Sequence, residues 1–90
     1  MSDLHATQAR LALLADVTRH RVYRHPVGTS HVAGGRQATA AITALVAAGW
    51  VEIDPATDVS DYEVAYWRAT DTGRAVLTQL GGPRPLGVLP

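Results

Sequence analysis

Arg36, Gln37, Thr39 and Thr43 are the side chains in this 90-residue sequence best suited by type and spacing to bind another molecule. All four carry hydrogen-bond donors. A helix beginning at Arg36 would present them on one exposed face together with Ala40 and Ala47. On such a face Gln37 can pair with an adenine edge, and Arg36 with guanine or a phosphate. Thr39 and Thr43 can meet a phosphate or a thymine methyl. Free amides at the helix start, just after Gly34-Gly35, favour an anion. Arg19, Arg21 and Arg24 lie upstream and would add phosphate contacts. The plainer account of the same residues is a solvated helix face with ordinary caps.

The other chemically capable groups form no catalytic or metal-binding set. His5, His20, His25 and His31 have no cysteine and no interleaved carboxylate near the last three, so neither cofactor nor metal is expected. Their imidazoles do titrate near neutrality, which suits a pH-sensitive interface. Five residues separate Gly28 from Gly34, and Gly35 is followed by Arg, so the stretch is not a triphosphate-binding loop. Ser30 and His31 are adjacent on an expected strand and point to opposite faces, which rules out a nucleophile–base pair. Asp58, Asp61 and Glu63 read as a solvated turn. Trp50, Tyr62, Tyr66 and Trp67 read as packing residues; Trp50 and Tyr66 are the two that could face outward, with Arg68 over Trp50. No enzymatic activity is expected.

The elements that would hold these residues follow from patterning. With 47% hydrophobic and 18% charged residues, the chain suits one folded domain. It contains no Cys, and hence no disulfide framework. No apolar run reaches membrane-spanning length and no signal peptide is apparent, so a cytoplasmic protein is expected. Net charge is zero but unevenly distributed. Up to Ala48 five arginines face two carboxylates; from Gly49 three arginines face six. This split suits a basic binding face or head-to-tail association, though a small chain can also segregate charge by chance.

Ser2 or Asp3 can cap a first helix bearing Leu4, Leu11, Leu14 and Thr18, widened by Ala6, Leu13 and Val17, ending near residues 19–21. A stripe so broad suits burial on two sides, one of them against a second copy in a homodimer. Residues 22–33, with Pro26 and Gly28, read as a small hairpin closed by Gly34-Gly35. Residues 36–48 read as a second helix ending at Gly49. Residues 50–53 and 62–69 alternate as two strands, with Val51 and Ile53 sharing a buried face with Trp67 and Ala69. Thr70 or Asp71 caps a last helix that points Val76, Leu77 and Leu80 inward. Residues 1–82 would form the domain. Residues 83–90 would form a Pro/Gly-rich tail, either loose or strapped onto an apolar groove.

Two runs carry a resemblance. Thr43 to Val51, an apolar helix ending in Gly49 and entering a strand at Trp50, resembles the end of a winged-helix recognition helix. Tyr66 to Leu77, with its Thr70-x-x-Gly73-Arg74 junction, resembles that family's second wing strand entering the next helix, as in small bacterial repressors. Together they cover about half the chain. The resemblance implies an α+β winged-helix fold in the order helix, short hairpin, helix, β-hairpin wing, helix. It also implies double-stranded DNA binding through Arg36, Gln37, Thr39, Thr43, Arg24, Arg21 and Arg19. A dimeric transcriptional regulator or an accessory factor of a mobile element would bind in this way.

Two departures stand against the family pattern. The helix that usually precedes the recognition helix is missing or degenerate, and the wing is acidic. Glu52, Asp54, Asp58, Asp61 and Glu63 would repel phosphate there. The alternative expectation is therefore a protein-interaction module that binds a partner with the acidic wing and apolar tail. Fold alone does not decide between the two.

Overall fold

The computed structural model describes residues 4–57 and 64–80. In chain order the elements are α1 (Gln8–Thr18), β1 (Val22–Arg24), β2 (Ser30–Val32), β3 (Arg36–Gln37), α2 (Thr39–Ala47), β4 (Val51–Ile53), β5 (Ala65–Ala69) and α3 (Asp71–Leu80). The molecule is thus a small α+β fold. Its strands form one antiparallel sheet in the order β3-β2-β1-β5-β4. β5 divides its pairing. Ala65 and Tyr66 face Arg24 and Tyr23 of β1, while Trp67, Arg68 and Ala69 face Ile53, Glu52 and Val51 of β4.

Strand alternation sets the two faces. Val22, Val32, Val51, Trp67 and Ala69 point inward, where they meet Leu13, Leu14 and Val17 of α1 and Ile42 and Leu45 of α2. Leu11, Leu13, Leu14, Ala15 and Val17 are all buried within the single chain. The breadth of the α1 stripe is therefore used inside the monomer, where α1 touches β5, α2 and α3.

α1 starts later than its sequence suggests. Thr7 is the cap, its hydroxyl accepting from the Arg10 N–H at 3.2 Å. The preceding segment is tied down by Arg10, whose guanidinium donates to the His5 carbonyl at 2.9 Å. Ser2 and Asp3 lie outside the described residues.

The two described connections from a helix into a strand use the same device. At the end of α2, Gly49 N–H donates to Val46 O and Trp50 N–H to Leu45 O, with Gly49 at φ +78°. At the end of α1, His20 N–H donates to Val17 O and Arg21 N–H to Asp16 O, with His20 at φ +62°. Both are paired-bond caps that need a left-handed residue. His20 pays for that geometry with side-chain contacts, its ring stacked on Tyr66 at 4.7 Å and 3.5 Å from Asp54.

Thr70 joins α2, β4 and α3. Its hydroxyl donates to Gly49 O at 2.5 Å and accepts from Gly73 N–H at 3.1 Å, while its own N–H donates to Trp50 O. Replacing Thr70 with valine keeps the shape and removes both hydroxyl bonds. The expected cost is about 1–2 kcal/mol in chemical denaturation, the upper part of the range for a lost helix cap. An unchanged denaturation midpoint would show that water replaces both bonds.

Two expectations for side chains are corrected. Trp50 is buried, not outward, and Arg68 pairs with Glu52 at 2.6 Å instead of lying over Trp50. Leu80 is exposed, although Val76 and Leu77 do pack against the core. No described helix is long and apolar enough to cross a membrane. The tail expected over residues 83–90 and the carboxylates Asp58, Asp61 and Glu63, expected in a wing, lie outside the described residues.

Candidate functional site

Arg36 and Gln37 are not on a helix. They form the edge strand β3, with Arg36 opposite Val32 and Gln37 opposite His31. Alanine-rich propensity makes 36–48 look continuous, but backbone pairing with β2 captures the first two residues, and the helix begins only at Thr39. Gly34 and Gly35 consequently form the β2–β3 turn, with Gly35 N–H donating to Val32 O, and do not lead straight into α2.

The start of α2 is built around Thr39. Its N-cap residue, Ala38, contributes no side-chain bond. The Thr39 hydroxyl instead accepts from Ser30 N–H at 3.0 Å and from the Gln37 amide at 3.2 Å. It is thus largely consumed by β2 and β3. Thr43 is exposed, its hydroxyl donating back to Thr39 O at 2.9 Å. The remaining outward residues of α2 are Ala40, Ala41, Val46 and Ala47. The helix carries no charged side chain.

Charge is supplied from both flanks. On one side a cleft between α1 and α2 is lined by Arg10, Arg36, Gln37, Ala38 and Ala41, among others. On the other, a cleft of ≈ 290 Å³ separates α2 from the β1–β2 hairpin, with Arg24, Gly28, Thr39, Thr43, Val46 and Trp67 in its walls. Neither cleft is lined by a described carboxylate. Arg24 is positioned by the core, its guanidinium 5.9 Å from the centroid of the Trp67 ring. Trp67 is held in turn by a 3.0 Å bond from its indole N–H to the buried Ser30 hydroxyl.

The seven residues expected from sequence therefore divide. Arg24, Thr39 and Thr43 meet at one cleft, and Arg36 and Gln37 at the other. Arg19 and Arg21 line neither. Arg19 caps the C-terminus of α1, and Arg21 lies 3.7 Å from Asp16. Arg10 was missed because α1 reads as a purely apolar packing helix; only its approach to α2 places it beside Arg36.

The opposite face of the sheet carries a second feature absent from the sequence reading. Tyr23, His31 and Tyr66 lie side by side on β1, β2 and β5, joined by His25 and His20. The ring centroids of Tyr23 are 5.9 Å from His31, 5.4 Å from His25 and 6.0 Å from Tyr66. Alternation in β1 and β5 marks Tyr23 and Tyr66 as outward, but only strand register puts them together. Among the described residues, no group of three or more His, Cys, Asp or Glu side chains is placed to hold a metal ion.

Comparison with family models, with curated proteins and with solved structures finds no match for this chain.

Proposed function

We propose that this chain is a winged-helix-type domain that binds double-stranded DNA, with the exposed side of α2 entering the major groove. The observation that carries the reading is the arrangement around α2. The helix is uncharged and small on its outer side, and a cleft containing an arginine borders it on each flank. Small residues such as Ala40, Ala41 and Ala47 allow close approach to base edges, where Thr43 is the polar contact. Arg36 and Arg10 on one flank, and Arg24 on the other, would grip the two phosphate strands bordering the groove.

Gln37 is then a rim contact and not a reader from the first helical turn. The order of elements, helix, hairpin, helix, hairpin, helix, supports the winged-helix assignment with an extra edge strand before α2. Binding of this kind suits a small transcriptional regulator or a mobile-element accessory factor. Two copies on two half-sites would enlarge a small single-module interface.

Fluorescence anisotropy with a pool of random-sequence duplexes, at low and at physiological salt, tests the reading. Saturable binding is expected, with log affinity falling linearly against log salt. Arg24→Ala combined with Arg36→Ala should flatten that slope by about two, one for each lost phosphate contact. Reversing the charge of Asp58 and Asp61 should leave DNA binding in place. Absence of binding at low salt would overturn the proposal and favour the acidic loop as a protein-docking element.

A further inference from the structure

We infer that the open face of the sheet, where Tyr23, His31 and Tyr66 lie in one row, binds the proline-rich segment at residues 82–90 of a second copy of this chain. This makes the face a self-association surface, and it stands independently of the DNA-binding reading above.

Strand register builds the row. Tyr23 of β1 is paired with His31 of β2 on one side and with Tyr66 of β5 on the other, so three rings cross the centre of the sheet in line. Tyr23 and His31 stack at 5.9 Å, and His20 extends the row by stacking on Tyr66 at 4.7 Å. His25 borders it on the hairpin side, 4.8 Å from the His31 ring. Each of these residues is half-buried or exposed. The described helices send their apolar side chains to the other face, Leu14 from α1, Ile42 from α2 and Val76 from α3 among them. The row is thus a flat aromatic surface that no described helix covers.

Residues 82–90 read Gly-Pro-Arg-Pro-Leu-Gly-Val-Leu-Pro and match this surface in two respects. The rings of Pro83 and Pro85 can pack flat on aromatic faces, the chemistry by which aromatic-lined grooves take proline-rich segments at low ordering cost. Charge agrees as well. At the β4 end of the row Glu52 and Asp54 share a single guanidinium, that of Arg68, at 2.6 and 3.9 Å. Arg84, the one charged side chain in residues 82–90, supplies a further cation there. Nucleic acid is the poorer occupant, because the same carboxylates repel phosphate.

The position of α3 favours a second copy as the donor. Val76 and Leu77 pack against the core side of the sheet. The chain's own segment after Leu80 would have to round the sheet edge to reach the row, whereas a neighbouring copy meets the row directly. Reciprocal exchange between two copies makes both contacts at once, so neither has to be strong alone.

The test uses the full chain without DNA. Sedimentation velocity should show association that rises with protein concentration, and Arg84→Glu should weaken it about tenfold. A capped synthetic peptide of residues 82–90, added in excess to the unaltered chain, should dissociate the complex, and no variant is needed for that arm. In a mixture of isotope-labelled and unlabelled copies, filtered NMR spectra should connect proline protons of one copy with Tyr23 and Tyr66 ring protons of the other. A chain that stays monomeric at every concentration overturns the inference. Association that persists through both Arg84→Glu and excess peptide also overturns it, and places the interface elsewhere. Proline-to-tyrosine contacts confined to one chain overturn it too, since the occupant is then the chain's own segment. With no DNA present, none of these results bears on the α2 reading, which is decided by the anisotropy measurement.

Discussion

Gly73→Ala is expected to cost about 3 kcal/mol of stability, the upper part of the range for forced overpacking. A Cβ at Gly73 would overlap the Trp50 carbonyl oxygen and lie 3.0 Å from its carbon. Both are backbone atoms, so no side chain can swing aside. Helix propensity works the other way, since alanine in α3 would gain about 1 kcal/mol over glycine. The clash exceeds that gain because relief requires α3 to withdraw from Trp50. Withdrawal would strain the Thr70 hydroxyl bonds to Gly49 and Gly73 together. Urea denaturation measures the difference directly. A variant as stable as the wild type would mean that α3 can shift freely on the β4 entry, contrary to the close seat described above.

Trp67→Phe is expected to lower stability by about 2 kcal/mol, and the part of that loss due to the broken bond should be absent when Ser30 is already alanine. The indole N–H and the Ser30 hydroxyl satisfy each other in a region where Ser30 is only 2% exposed. Removing one partner leaves the other buried without a bond, which costs about 1–3 kcal/mol. Phenylalanine also leaves part of the indole volume empty and weakens the seat of Arg24. Removing both polar partners eliminates the stranded group, so the double variant should be less unstable than the two single losses predict. Chemical denaturation of the four proteins in a double-mutant cycle yields the coupling. Strictly additive losses would show that the bond contributes nothing beyond packing.

The same pair explains how much of the candidate site was legible. Alternation in residues 65–69 marks Trp67 as inward and Arg68 as outward, and β5 bears this out. That Val51 and Ile53 share a face with Ala69 and Trp67 follows from the same two-residue period. Gly49 as a left-handed helix stop and Thr70 as a cap were readable because both act through bonds to near neighbours or to the junction itself. The hairpin at residues 22–32 was readable from Pro26 and Gly28.

What local patterning misplaced are the residues meant to do the binding. Arg36 and Gln37 have the composition of a helix start, yet pairing with Val32 and His31 makes them a strand. Hydrogen bonds to a strand several residues away do not appear in any helical period. The joining of Arg10 to Arg36, of Arg24 to Thr43, and of Tyr23 to Tyr66 and His31 likewise depends on how α1, α2 and β5 cross the sheet.

Apart from β3 and the exposed Leu80, the sequence by itself therefore determined the kinds of element, their order, the helix stops and the inward faces, because each follows from bonds and contacts within a few residues. Only the tertiary structure decided where α2 begins, which arginines share a cleft, and which rings lie side by side on the sheet. Those depend on contacts between distant segments, and hydrophobic burial dictates that segments meet without dictating which polar side chains are left together at the rim.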